Sequence, residues 1–246
     1  MVGQPPGAQR AGAQRAAAQR AAARRGALRH LTRLIGDYPN ALRFRARSLR
    51  QWSIPESFGE GERRPVVILP GIYETWHYLR PIAEELNARG HPVHVIPALG
   101  LNRAPIPTTA SRVLRELIDH ELRDVALVAH SKGGIIGKHL MAVDDREGLV
   151  DRLVAVASPF RGSAMARIAP TPGLRAFLPG DPVIASLAAE LTVNARITSI
   201  YPSFDPHIPD GCVLEGAENI ELSVIGHFRI LLQPALVDEV VRAVER

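Results

Sequence analysis

The residues best suited to chemistry lie in VALVAHSKGGIIGKHL, residues 125–140. An apolar run ends at His130, Ser131 follows, and Lys132-Gly133-Gly134 opens a segment of helical period. On so tight a strand–turn–helix junction a serine projects out of the turn, provided that small residues stand two positions to either side. Gly133 meets that need after the serine; before it stands Ala129, where the usual pattern has glycine. The competing role is helix capping, since a serine after a buried strand is an ordinary N-cap. Two further places bear on the choice. Gly71 and Ile72 follow the run VVIL at 66–69, and backbone N–H groups there, with that of Lys132, can meet an oxyanion above Ser131. Downstream, Asp205 follows ITSIYP at 197–202 and His227 follows IELSVIG at 220–226. A serine, a carboxylate and a histidine, each near a strand end and in that chain order, are the parts of nucleophilic acyl transfer: a nucleophile, a group that orients the base and the base.

Other residues compete for these roles. His207, two residues after Asp205, is a rival base, and Asp210 and Asp181 are rival acids. His130 adjoins Ser131 but sits at a strand end, a poor position for a general base. His91 and His94 show no acid–histidine spacing that suggests a metal site. The Lys132 side chain is read as exposed at the site mouth. Tyr73, Trp76 and Phe160 suit either an acyl pocket or core packing.

The elements that must position these groups alternate. Strands are expected at 65–71, 91–98, 124–130, 152–159, 197–202 and 220–226. Helices are expected over 75–89, from Thr108 or Thr109 to about Leu122, over 131–143 and from Pro234 to the end. Such alternation predicts an α/β fold, a mostly parallel sheet of about six strands with helices on both faces. Chemistry in such sheets gathers at the carboxyl ends of strands, where Gly71, Ile72, Ser131, Asp205 and His227 fall. The least regular stretch, 160–195, is broken by Pro170, Pro172, Pro179 and Pro182 and is placed to cover a site.

The charge is unevenly spread. Residues 1–50 hold eleven arginines, no lysine and one acid, Asp37, for a net +10, while the rest of the chain nets −5. A mildly acidic body argues against a fold built to grip nucleic acid. Arg10, Arg15, Arg20 and Arg25 recur every five residues, so on a helix they spiral around the axis and define no face. The start of this extension is read as largely disordered, the alternative being an electrostatic contact with anionic membrane or nucleic acid. Residues 27–58 carry scattered Leu, Phe and Trp that can pack on a neighbouring face. The polar run Gly59–Arg64 sets the division: an extension over 1–58 and a domain over 59–246. No apolar segment is long enough to span a membrane, and no uninterrupted signal-like run is seen, so a cytoplasmic location is expected. With a single cysteine, Cys212, an internal disulfide is excluded.

From about Pro65 to Arg246 the chain resembles an α/β-hydrolase of the compact lipase/esterase type. AHSKGG is similar to the A-H-S-x-G-G elbow of small bacterial lipases, and PGIYETW stands where such lipases have H-G-x, with Pro70 in place of the histidine. ASPFRGSAMA at 157–166 resembles the P-x-x-G-[ST]-x-x-A segment, SFDPHIP at 203–209 the acid loop, and IGHFRIL at 225–231 the histidine loop. The resemblance implies Ser131 as nucleophile, Asp205 as acid and His227 as base, with the N–H groups of Ile72 and Lys132 as the oxyanion hole. It implies cleavage of a small acyl ester or lipid with no metal or organic cofactor. The alternatives are another acyl transfer (thioesterase, amidase or acyltransferase) or a hydrolase-like protein that only binds.

Overall fold

A computed structural model describes Thr32 and residues 36–46, 53–168 and 171–246. Residues 36–46 form helix α1. The body then runs β1 (Val66–Leu69), α2 (Arg80–Ala88), β2 (Val93–Val95), α3 (Ile106–Asp119), β3 (Val125–His130), α4 (Lys132–His139), β4 (Val150–Val156), α5 (Pro172–Arg175), α6 (Pro182–Ala189), β5 (Ile197–Phe204), β6 (Glu218–Ile225) and α7 (Pro234–Val244). The six strands form one sheet in the order β2-β1-β3-β4-β5-β6, every neighbouring pair parallel. Because all run the same way, the loops after β1, β3, β5 and β6 emerge along one edge.

Every residue of β1 and β3 is buried, as near-continuous apolar strands in the middle of a parallel sheet must be. In β3, Val125, Leu127 and Ala129 face a core shared with α3, α4 and α6; Ala126 and Val128 face the other core, with α2 and α7. The edge strand β6 instead alternates between half-buried and exposed positions. Among the described residues no helix is long and apolar enough to cross a membrane.

Several element bounds differ from the sequence expectation. β2 is only three residues long, because Pro92 and Pro97 on either side cannot donate to the ladder. α3 begins at Ile106 rather than at a Thr108 or Thr109 cap: prolines occupy its first positions, and Thr109 Oγ1 donates back to the Pro105 carbonyl at 3.0 Å. After His139, α4 loosens into a π turn at Leu140–Asp144. In the irregular stretch, Asp181 caps α6 by accepting from the N–H groups of Val183 and Ile184 at 3.0 and 3.3 Å.

Packing of the domain begins ahead of the sequence boundary at 58/59. Phe44 of α1 is buried in the α2/α7 core and stacks on Tyr78 with ring centroids 5.1 Å apart, while the Tyr78 hydroxyl donates to the Ala41 carbonyl at 3.1 Å. The expected disorder at the start of the extension concerns residues outside those described.

Candidate active site

Ser131 sits at φ 51° and ψ −117°, a conformation costly for a residue with a side chain. The turn is fixed by its surroundings. Ser131 N–H donates to the Val156 carbonyl of β4 at 2.8 Å, and α4 lies so close behind that side chains are excluded. A Cβ on Gly133 would stand 2.1 Å from the Leu69 carbonyl oxygen, and one on Gly134 2.1 Å from Ser158 Oγ. Although Ser131 occupies the N-cap position of α4, its side chain caps nothing. The hydroxyl is left to the cavity that Ser131 lines.

His227 lines the same cavity from the loop after β6. Its Nδ1 is bonded to Asp205 Oδ2 at 2.7 Å, both side chains being buried. The other oxygen, Oδ1, accepts the N–H groups of His207 and Ile208 at 2.8 and 3.1 Å, which locks the loop after β5 around the carboxylate. Burial disfavours the charged form of each partner. The opposite charge and the hydrogen bond between them outweigh it, holding Asp205 below the usual carboxylate range and His227 above an ordinary imidazole. With Nδ1 engaged, the nitrogen that His227 has for the cavity is Nε2.

The rival residues make other contacts. Asp210 accepts the N–H of Ala164 at 2.6 Å, and Asp181 is the α6 cap. His207 also lines the cavity, its ring 5.0 Å from that of His227, and its backbone N–H donates to the Asp205 carboxylate. His91 is buried with Nδ1 on the Arg64 carbonyl at 2.8 Å. Of the three aromatic candidates, Tyr73 reaches the cavity, while Trp76 and Phe160 are core residues.

The turn after β1 is held on both sides. Gly71 N–H donates to Glu74 Oε2 at 2.8 Å, Tyr73 N–H to the Leu101 carbonyl at 2.7 Å, and Asn102 Nδ2 to the Pro70 carbonyl at 2.7 Å. Ile72, between the two engaged N–H groups, lines the cavity. The Lys132 side chain is not exposed at the site mouth as the sequence suggested. It is buried, with Nζ donating to the carbonyls of Asn102, at 2.8 Å, and Ala104, and burial pulls its pKa down to about 8. Carbonyls presented by a loop thirty residues away give the ammonium its reason to turn inward.

Two parts of this site were not singled out from sequence. Glu74 is buried and takes up His130 Nδ1 at 2.9 Å as well as the Gly71 N–H; His130 Nε2 in turn meets the His227 carbonyl at 3.2 Å. A chain of hydrogen bonds thus joins the turn after β1, the end of β3 and the His227 loop. Glu74, His130 and His227 can present one donor atom each within 4.8 Å of the others, a metal-like spacing. The pairings just described already use the Glu74 carboxylate and both His130 nitrogens, so we read the group as a hydrogen-bond network. The second missed part is α1, whose Tyr38, Ala41, Leu42 and Arg45 line the cavity. Its sequence signals, the scattered Leu and Phe of 27–58 and Asp37 as the lone acid among eleven arginines, placed it against the domain but not at the cavity.

The cavity has a volume of about 520 Å³ and is mostly apolar. Met165, Ala166, Ile168, Leu174 and Phe177 of the irregular stretch supply much of its apolar lining. That size and lining fit a small apolar ligand.

Solved structures share this architecture. A monoacylglycerol lipase from Paleococcus ferrophilus is similar with a TM-score of 0.56 and 17% identity, over 76% of this chain and 95% of that one. An esterase from Exiguobacterium antarcticum gives 0.52 and 16%, over 76% and 93%. An extracellular alpha/beta-hydrolase from a Paenibacillus species gives 0.53 and 16%, over 74% and 99%. No curated protein matches the sequence. At such identities the likeness is one of fold. The sequence model of the alpha/beta hydrolase family matches residues 66–234, which include β1, the Ser131 elbow and the Asp205 and His227 loops, and the chain belongs to that family.

Proposed function

We propose that the protein is a serine hydrolase that cleaves carboxylic esters of the esterase or lipase kind. The observation that carries this reading is the shared cavity. It is lined by Ser131, held in a strained conformation with a side chain that does not cap its helix, and by His227, whose Nδ1 is bonded to a buried carboxylate.

In this reading His227 Nε2 takes the proton of Ser131 as Oγ attacks the ester carbonyl and forms the tetrahedral intermediate. Asp205 keeps the proton of His227 on Nδ1 and stabilises the imidazolium. The N–H groups of Ile72 and Lys132 receive the developing oxyanion, a donor of this kind being worth about 3 kcal/mol. His227 then returns the proton to the departing alcohol, and a water activated by the same histidine releases the acid from the Ser131 ester. The apolar lining suits the acyl chain or the alcohol part of an uncharged ester.

A fluorophosphonate probe followed by mapping of the modified residue tests the nucleophile, and a p-nitrophenyl ester series tests the substrate class. Labelling at Ser131 with turnover of acyl esters is the expected result. Folded protein that neither labels nor turns over esters and thioesters overturns the reading in favour of a binding protein. Thioester or amide turnover that far exceeds ester turnover moves it to another acyl transfer.

A further inference from the structure

The segment ahead of the matched family region enters the site in a way that the fold alone does not require. Helical period divides α1 into two faces. Asp37 and Phe44, seven apart, point into the protein and are 2% and 1% exposed. Tyr38, Ala41, Leu42 and Arg45, spaced by three and four, line the cavity. Phe44 and the Ala41 carbonyl anchor the helix on Tyr78. Asp37 reaches further. Its two oxygens accept the N–H groups of Phe228 and Arg229 at 2.9 and 3.1 Å, the residues directly after His227. Gly226, directly before His227, has φ +126°, and a Cβ there would stand 2.6 Å from Asp37 Oδ1. The backbone on either side of the histidine is therefore shaped around this one carboxylate. A buried carboxylate that satisfies two backbone donors holds their loop rigidly.

We propose, building on the ester-hydrolase reading, that α1 is a working part of the acyl site: Asp37 is a positioning residue for His227, and Ala41 and Leu42 form the wall that limits the acyl chain. Leu42 is 65% and Tyr38 50% exposed, and nearby Ile168 is 75% exposed. These apolar groups line the same cavity and gain cover when an apolar chain fills it. The substrate class this selects is an ester with an apolar acyl group long enough to reach α1 from Ser131.

The test compares the full-length protein with Asp37→Ala, Asp37→Asn and Ala41→Phe, using p-nitrophenyl esters of increasing length. Asp37→Ala is expected to lower kcat on a short ester by up to about 10²-fold, the scale of a small misplacement of a catalytic group, with KM little changed. Asn keeps one acceptor oxygen and is expected to recover part of that loss. Both variants remove a charge that favours the His227 imidazolium, so the acid limb of kcat/KM moves to lower pH. The other groups facing His227 are Asp205, Glu74, His130 and His207. Since His207 Nε2 lies 3.8 Å from Asp37, the same shift is expected in a His207→Gln background. Amide exchange at Phe228 and Arg229 is expected to quicken in Asp37→Ala. Ala41→Phe is expected to cut kcat/KM for long acyl chains about tenfold relative to acetate.

Wild-type kcat, acid limb and amide exchange in both Asp37 variants overturn the positioning role. If Asp37→Ala fails to fold, Asp37→Asn decides alone on kcat and the acid limb. An unchanged chain-length profile in Ala41→Phe overturns the wall. Absence of turnover and of Ser131 labelling in the wild type defeats the hydrolase reading instead, and the exchange measurement still reports whether Asp37 holds the loop.

Discussion

Two buried acid–histidine pairs stand side by side in this molecule, His227–Asp205 and His130–Glu74, with the histidine rings 4.7 Å apart. Each has Nδ1 on a carboxylate, at 2.7 and 2.9 Å. They differ at the other nitrogen. His130 Nε2 meets the His227 carbonyl, and His130 is wholly buried, whereas His227 lines the cavity that Ser131 also lines. A histidine can move a proton to a substrate only if one nitrogen is left for it. The same two side-chain types, in nearly the same pairing, therefore suit one site for chemistry and the other for holding the first in place.

The strongest way to break this comparison is at the open pair. Ser131→Ala or His227→Ala is expected to lower ester kcat by about 10⁴–10⁶, and the double variant to be little worse than either. The acid should follow. Asp205→Asn is expected to cost about 10⁴ in kcat, through the wrong imidazole tautomer and lost stabilisation of its cation. Asp210→Asn, which keeps an acceptor oxygen for the Ala164 N–H, should cost little. The reverse order in steady-state kinetics would mean that the acid lies in the wrong position of the loop. Because His227 titrates above an ordinary imidazole and must be neutral to act as base, activity should fall on acidification from a higher pH than a free imidazole would give. A pH profile of kcat/KM reads this limb directly.

The closed pair should matter less, and in a different way. Glu74→Gln keeps an acceptor for the Gly71 N–H but loses the charge beside His130. It is expected to lower kcat by about tenfold through a looser turn at Ile72. His130→Ala leaves buried groups unpaired, a loss of about 1–3 kcal/mol that denaturant unfolding would measure. A 10⁴-fold loss in Glu74→Gln with folding intact would make the two pairs equals and end the distinction.

The open pair was legible in the sequence because each of its members lies just past an apolar run, and local period places strand ends well. The closed pair was not. Glu74 and His130 are 56 residues apart, and Asp37 lies 191 residues from the Phe228 N–H that it accepts. No local pattern encodes a contact made only when the sheet assembles. Lys132 shows the same limit: its backbone position was readable, its inward side chain depended on a distant loop. The element bounds failed for a nearer reason. Pro92, Pro97 and Pro105 stood in the sequence, and weighing their missing N–H groups would have shortened β2 and moved the start of α3.

The smallest expected effect comes from the arginine-rich start of the chain and marks how far the open pair reaches. Asp37 links the segment before residue 53 to the His227 loop. Residues 1–26 precede it and offer no apolar stripe to bury. Their deletion is expected to leave unfolding cooperative and short-ester turnover within about twofold, since surface changes away from packed features cost little. Extending the deletion through residue 46 removes Asp37 and the α1 wall and should reduce turnover as strongly as the Asp37 variants or more. Binding to anionic vesicles is the second readout. If the shorter deletion abolishes binding that weakens steeply with salt, the arginines serve a surface rather than the site. If it instead removes most of the activity on a soluble short ester, the first 26 residues support the His227 loop too, and the boundary of the working enzyme lies further toward the amino terminus than Asp37.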